Sequence, residues 1–277
     1  MAEPVFAFTD VAVPRAYDAY LVPRLFGPWA ELLLDAAAVG AGDVVLDVAT
    51  GPGTVARAAS RRAGPRGRVV ATDRSLSMLG VARSKPPIAG GAPIEYVAAP
   101  AESLAALPVV RETRFGVALC QQGLQFFPDR VGALRAMRGA LRAGGRLGAA
   151  VWTRVEENGI FAAIRDALLD AGIAPLAELM AVPFLGPGAR ALVEEAAAAG
   201  FHSPRVEERE LPLTFEGGPG QLHAAIAGTP LAPHLAELPA DAQARLAAAL
   251  RRRLVPLTTP TGAVTAPMRS HILTATA

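Results

Sequence analysis

The stretch Asp43-Val44-Val45-Leu46-Asp47-Val48-Ala49-Thr50-Gly51-Pro52-Gly53-Thr54 joins an apolar strand to a helix through a glycine turn. Val44-Val45-Leu46 has no polar alternation, so this strand is buried on both faces, as in a parallel sheet. A helix over 54–63 follows, and the rhythm then repeats. Arg68 to Thr72 reads as a strand ending at Asp73, Ser75 to Ser84 as a helix, Ile94 to Ala98 and Phe115 to Cys120 as strands. Arg130 to Arg142 reads as a helix stopped by Gly144-Gly145, and Arg146 to Trp152 as a fifth strand. Strands and helices alternating across short loops predict a doubly wound, Rossmann-like α/β sheet.

The flanks differ. Ala16 to Val39 carries apolar residues at helical spacing, interrupted by Pro23 and Pro28, which predicts two or three short helices ahead of the sheet. Beyond Asn158 the pattern predicts helical stretches, a helix from Ala189 to Ala199 closed by Gly200, and an alternating strand from Pro204 to Phe215. A loop-and-helix insertion over 216–257 and a last strand from Ser270 to Ala275 close the chain. With 277 residues, 52% of them hydrophobic and 19% charged, the chain can bury a large core. The expected organisation is one domain over 1–277: a helical lid at 1–40, a cofactor-binding core at 41–153, and last strands with a helical cap insertion at 154–277.

Lys plus Arg exceed Asp plus Glu by only 27 to 25, and the run Arg251-Arg252-Arg253 ends an alanine-rich helix, where cations suit the helix dipole. A nucleic-acid partner is therefore not expected. The single cysteine, Cys120, excludes an intrachain disulfide and any Cys-x-x-Cys site, and His202, His223, His234 and His271 lack metal-ligand spacing. No metal is expected. The first ten residues lack the charged start and apolar run of a signal peptide, and no long uncharged apolar run occurs, so a cytoplasmic protein without a membrane partner is expected.

Gly51-Pro52-Gly53-Thr54-Val55-Ala56 fits the G-x-G-x-x-A pattern of NAD-binding loops, and Asp73 at the end of the second strand can accept ribose hydroxyls. Those features serve NAD and S-adenosylmethionine equally. Asp47 separates the two: a carboxylate there repels a pyrophosphate but attracts the ammonium of a methionine moiety.

The same residues carry a resemblance to the class I S-adenosylmethionine-dependent methyltransferases, in particular a small-molecule branch similar to the ubiquinone-pathway C-methyltransferases. They are 45–53 (VLDVATGPG), 71–79 (ATDRSLSML), Ala101-Glu102-Ser103-Leu104, 120–129 (CQQGLQFFPD) and 141–147 (LRAGGRL). The resemblance implies a seven-stranded sheet whose last strand is antiparallel and inserted beside strand five, and N-terminal helices closing over the ligands. It implies that Asp47, Gly51 and Gly53 contact the methionine end, Asp73 the ribose, Arg74 and Met78 the flanks of the adenine, and Ala101 the adenine through its N–H. Cys120, Gln121 and Gln125 would line the pocket near the sulfonium. A homodimer is also implied. The chain departs from the family at Pro100, where an acid is usual and where either Glu102 substitutes or packing and backbone alone hold the adenine, at Ala49 for Gly, and at Gly116 for Asp.

Methyl transfer from a sulfonium needs alignment in a dry site, and a general base only for a hydroxyl or carbon acid. His223, in an apparent helix of the insertion, is the candidate base, against the plainer reading of a surface histidine. Tyr17 and Tyr20 serve as a substrate lid or as helix anchors, and Trp152 stacks on a planar acceptor or packs the core. Cys120 reads as a pocket wall and not a nucleophile. The expected function is methylation of a small or medium organic metabolite, oxygen favoured over carbon or nitrogen, in bacterial secondary metabolism. The alternative is a protein of this fold that binds S-adenosylmethionine but catalyses a cyclisation, rearrangement or elimination.

Overall fold

The computed structural model describes residues 12–277. Its centre is a sheet of strands β1 (Val44–Val48), β2 (Arg68–Asp73), β3 (Ile94–Ala98), β4 (Phe115–Gln121), β5 (Leu141–Trp152), β6 (His202–Phe215) and β7 (Val264–Thr276), in the order β3-β2-β1-β4-β5-β7-β6. β1 is parallel to β2 and β4, β2 to β3, and β4 to β5. β7 runs antiparallel to β5: Gly144 N–H donates to Ala277 O, Ala277 N–H to Gly145 O, and Thr153 N–H to Arg269 O. The doubly wound, seven-stranded expectation with an inserted antiparallel last strand is met. The chain order turns outward in both directions from the β1–β4 seam, where the carboxyl ends of open α/β strands hold ligands.

The chain divides into two compact units. One comprises 27–151, 186–209 and 270–277, and contains β1 to β4 and nearly all of β5. Its core packs Leu46, Val48, Val70, Phe115, Ala118, Leu134, Met137, Leu147, Val151, Leu192 and Leu273, all buried. The other comprises the stretch ending at Phe26 with 152–185 and 210–269, and is mainly helical. Within it the helix Gly159–Asp170 packs against Ala174–Ala181 and against Ala240–Leu254, and Arg253 clamps Asp170 with two hydrogen bonds of 2.9 and 2.8 Å.

Several expected boundaries shift. Three short helical segments stand ahead of the sheet, as expected, Ala12–Ala16, the π-wound Tyr17–Phe26 and Gly27–Ala36; Pro28 falls in the first turn of the third, but Pro23 lies inside the second and does not break it. The wider π turn moves the carbonyl four residues back away from the Pro23 ring, with which it would clash in an α-helix. The expected helix Arg130–Arg142 ends at Ala140, and β5 begins at Leu141, because Leu141 pairs with Phe115 ahead of a register shift. Gly144, with φ 71°, makes that bend, which a β-carbon would oppose. β7 starts at Val264, six residues before the expected Ser270: Val264, Ala266, Met268 and Ser270 alternate inward, and Pro267 falls on the outward side. β6 is the edge strand and therefore admits Pro204 and Pro212.

Arg146 of β5 donates to both carboxylate oxygens of Asp43, at 2.9 and 2.8 Å, and to Ala38 O at 2.6 Å, while Gly40 N–H donates to Asp43 at 2.8 Å. This cluster fixes the turn that feeds β1. Gly148 lets the helix Gly27–Ala36 and its last turn lie close on the sheet: a β-carbon there would stand 2.8 Å from Ala37 Cβ and 3.1 Å from Leu119 Cδ2. Gly148→Ala is accordingly expected to lower the unfolding free energy by about 1–3 kcal/mol in urea titration, through overpacking.

Candidate cofactor site

At the carboxyl end of β1 the chain turns through Ala49 (φ 58°), Gly51 (φ 55°) and Gly53 (φ 82°) before the helix Thr54–Ala63. Left-handed backbone at Gly51 and Gly53 is why glycine stands there. At Gly53 a second reason applies: a β-carbon would meet the Tyr96 hydroxyl at 2.7 Å. The loop is tied down on both sides. Gly51 N–H donates to Asp73 Oδ2 at 2.7 Å and Lys85 Nζ donates to Pro52 O at 2.8 Å.

Asp47 lies behind this loop, buried, accepting a 2.5 Å hydrogen bond from the Thr50 hydroxyl on Oδ2. Its Oδ1 is buried and has no hydrogen-bond partner among the described residues. Burial pushes its carboxyl up to about 7, against the opposing pull of the Thr50 hydroxyl and the Ala56 N–H, with the Asp73 charge adding to the rise. A buried, half-satisfied carboxylate favours a cationic donor. Asp73 ends β2 beside it, and accepts from Gly51 N–H and from Ser75 N–H at 2.8 Å through Oδ1. Burial raises its carboxyl too. An ionised carboxylate has about four lone-pair sites, so two backbone donors leave capacity for the two hydroxyls of a ribose.

The remaining expected cofactor residues fall in the same unit. Ser75 caps the helix Leu76–Ser84 by accepting from Met78 N–H, which leaves Met78 buried; Arg74 is exposed. Ala101, buried, opens the 3-10 helix Ala101–Ala106, where the first N–H groups are not used within the helix, and Glu102 beside it is exposed. Cys120 and Gln121 end β4, next to β1, and Gln125 lies on the turn that follows. Cys120 is fully buried, its thiol pushed up to about 12 by burial and by the Asp47 charge, so it is a neutral wall group. The residues present fit S-adenosylmethionine: Asp47 Oδ1 for its ammonium, Asp73 for its ribose, and room above Gly51, where a β-carbon would meet nothing within 4 Å among the described residues.

The ubiE/COQ5 methyltransferase family model matches residues 20–166. The chain belongs to this family. Over 120 residues it is 41% identical to a ubiquinone/menaquinone biosynthesis C-methyltransferase UbiE of Hahella chejuensis, covering 43% of this chain and 47% of that protein. Against the enzyme of the same name from an Enterobacter species the identity is 39%, covering 43% and 46%. The match spans about half the length of these relatives. Among solved structures, the YcgJ protein of Bacillus subtilis aligns with a TM-score of 0.56 at 17% identity, over 89% of this chain and 97% of that one. Phosphoethanolamine N-methyltransferase 2 of Haemonchus contortus, solved with S-adenosyl-L-methionine, aligns with a TM-score of 0.57 at 16% identity, over 96% of this chain and 57% of that one. At those identities the likeness is one of fold.

The expected acceptor residues of this family member lie in the helical unit. Tyr17 stacks on Phe26 with ring centroids 4.6 Å apart, and Phe26 meets Trp152 at 6.2 Å, so Tyr17 and Trp152 are joined through a ring that the sequence reading left unnamed. Trp152 is buried and Tyr20 exposed. His223 is exposed on the helix Gly218–Ile226, which packs against the π-helical Tyr17–Phe26. The first eleven residues of the expected lid lie outside the described residues. Among the described residues no group of three His, Cys, Asp or Glu could hold a metal, and no single helix is long and apolar enough to cross a membrane.

Thr50, Lys85 and Tyr96 are site residues that sequence reasoning missed. Lys85 is the chain's only lysine, and Tyr96 is the one aromatic residue of β3; neither signal names a partner across the fold.

Asp47 makes the site pH-dependent with a definite sign. Its folded carboxyl holds a proton that an unfolded chain releases near 3.8, so its contribution to the ligand-free fold is present at low pH and is lost as pH rises from about 4 to 7. Binding an ammonium requires the ionised form. Affinity for S-adenosylhomocysteine by calorimetry is expected to tighten roughly tenfold from pH 5.5 to 7, below the range where the ligand's own ammonium titrates. Asp47→Asn is expected to weaken binding and flatten that dependence.

Proposed function

We propose that the protein transfers a methyl group from S-adenosylmethionine to a small or medium organic metabolite. The observation that carries this reading is Asp47: a buried carboxylate with one oxygen unsatisfied, behind a glycine loop whose neighbour Asp73 keeps free acceptor capacity. A pyrophosphate would be repelled there.

When bound, the cofactor supplies a methyl group already activated on a sulfonium. In this reading Asp47 accepts from the ammonium and Asp73 from the ribose. Ala101 offers its N–H to the adenine, between Met78 and Arg74, and Glu102 stands in for the acid missing at Pro100. Gly51 and Gly53 let backbone approach, and Cys120, Gln121 and Gln125 exclude water from the reacting end. Tyr17, Tyr20 and Trp152 hold the acceptor, and His223 takes its proton where the acceptor is a hydroxyl. A homodimer in the cytoplasm, acting in biosynthesis, belongs to the same reading, and sizing chromatography tests the dimer.

A thermal-shift panel tests the cofactor: S-adenosylhomocysteine and S-adenosylmethionine are expected to raise the midpoint, and stabilisation by NADH or NADPH alone sinks the reading. Incubation with methyl-labelled S-adenosylmethionine and a metabolite extract then tests the reaction. Labelled product equimolar with S-adenosylhomocysteine is expected; an unlabelled product, formed with no S-adenosylhomocysteine, points to the non-methylating alternative. Where the label sits decides the atom. Oxygen is the preference of the sequence reading, and carbon is the second reading, favoured by the C-methyltransferase names of the relatives. His223→Ala is expected to lower kcat by about 100-fold if His223 is the base. An unchanged turnover removes it.

A further inference from the structure

Gln122 sits at the carboxyl end of β4 with φ 55°, a conformation that a non-glycine residue adopts only when its surroundings enforce it. Its buried amide Nε2 donates to Ser270 Oγ at 3.1 Å. The Ser270 hydroxyl donates to Val151 O at 2.9 Å, with His271 O a longer acceptor at 3.4 Å. At the other end, Gln125 Nε2 donates to Gln122 Oε1 at 3.4 Å.

The polarity of this chain has one solution. A backbone carbonyl only accepts, so Val151 and His271 commit the Ser270 proton inward, and Ser270 Oγ is left to accept. Gln122 must therefore present its NH2 to Ser270 and its oxygen to Gln125. Gln125 must then present its NH2 to Gln122, which sets its own oxygen on the opposite side of its amide. A carbonyl in β5 thus dictates which way an amide points two side chains further on. The turn that carries Gln125 abuts the glycine loop, since a β-carbon on Gly123 would stand 2.8 Å from both Ala49 Cβ and Cys120 Sγ. The Cys120 thiol is neutral, so it offers no competing charge there.

We propose that the Val151–Ser270–Gln122 chain holds the Gln125 amide with its oxygen toward the reacting end of the cofactor site, so that the protein binds cationic S-adenosylmethionine in preference to neutral S-adenosylhomocysteine. The proposal rests on the cofactor reading above, including the placement of Gln125 near the sulfonium. Ser270 and Gln122 act here as positioning residues. An acceptor oxygen opposite a cation favours the charged ligand, and one free to rotate its NH2 into the same place does not.

The test is the ratio of the two dissociation constants, measured by calorimetry with S-adenosylmethionine and S-adenosylhomocysteine at pH 7. Ser270→Ala is expected to lower the preference for S-adenosylmethionine by about threefold to tenfold, the effect of losing one charge-assisted acceptor. Ser270→Thr, which keeps the hydroxyl, is expected to restore it. Gln125→Glu, which gives up the donor to Gln122 but puts a carboxylate opposite the sulfonium, is expected to raise it. Wild-type protein that binds both ligands, with a ratio unmoved by Ser270→Ala and by Gln125→Glu, overturns the proposal and leaves the cofactor reading intact. Equal weakening of both ligands in Ser270→Ala marks a structural role only and also overturns it. Wild-type protein that binds neither ligand overturns the cofactor reading and the proposal together.

Discussion

Burying the carboxylate of Asp47 is the cost around which the rest of the site is arranged. Raising that group from 3.8 to about 7 corresponds to roughly 4 kcal/mol of lost preference for the ionised form. The Thr50 hydroxyl and the first turn of the helix Thr54–Ala63 recover part of it, and an unsatisfied oxygen remains. In the proposed reading a cationic ligand donor would recover more. The backbone around it is shaped accordingly: positive φ at Ala49, Gly51 and Gly53 brings N–H groups and bare backbone to one end of β1, and Asp73 and Lys85 hold that loop from opposite sides.

Sheet order then concentrates these groups. β2, β1 and β4 lie side by side and parallel, so Asp73, Asp47 and Cys120-Gln121 end at the same edge although they are distant in sequence. Rigid strand ends hold those groups in fixed alignment, which is most of what the proposed methyl transfer asks for. The aromatic group Tyr17, Phe26 and Trp152 belongs to the helical unit, so the two expected sets of residues are carried by separately packed parts of the chain.

The departures from the family are also legible in packing. Ala49 takes a left-handed conformation that favours glycine, and the missing β-carbon at Gly123 is what leaves room for its methyl group. At Gly116 a β-carbon would stand 3.3 Å from Asp43 Oδ1, so an acid there would face a carboxylate already engaged by Arg146. Compensations of this kind pair residues far apart in the chain.

The sequence by itself determined the class of fold, because the apolar run Val44–Leu46 and the repeated strand-to-helix alternation are local patterns with few topological solutions. It also determined that Asp47 and Asp73 stand at the carboxyl ends of their strands, for the same reason. It misjudged Pro23, the start of β5 and the start of β7, where π winding, pairing with Phe115 and the outward side of an antiparallel strand overrode local propensity. Only the tertiary structure decided that Tyr96 lies under Gly53, that Lys85 holds Pro52, and that Ser270 of β7 reaches Gln122 after β4. Those contacts depend on which strands become neighbours. Spacing along the chain carries no information about them.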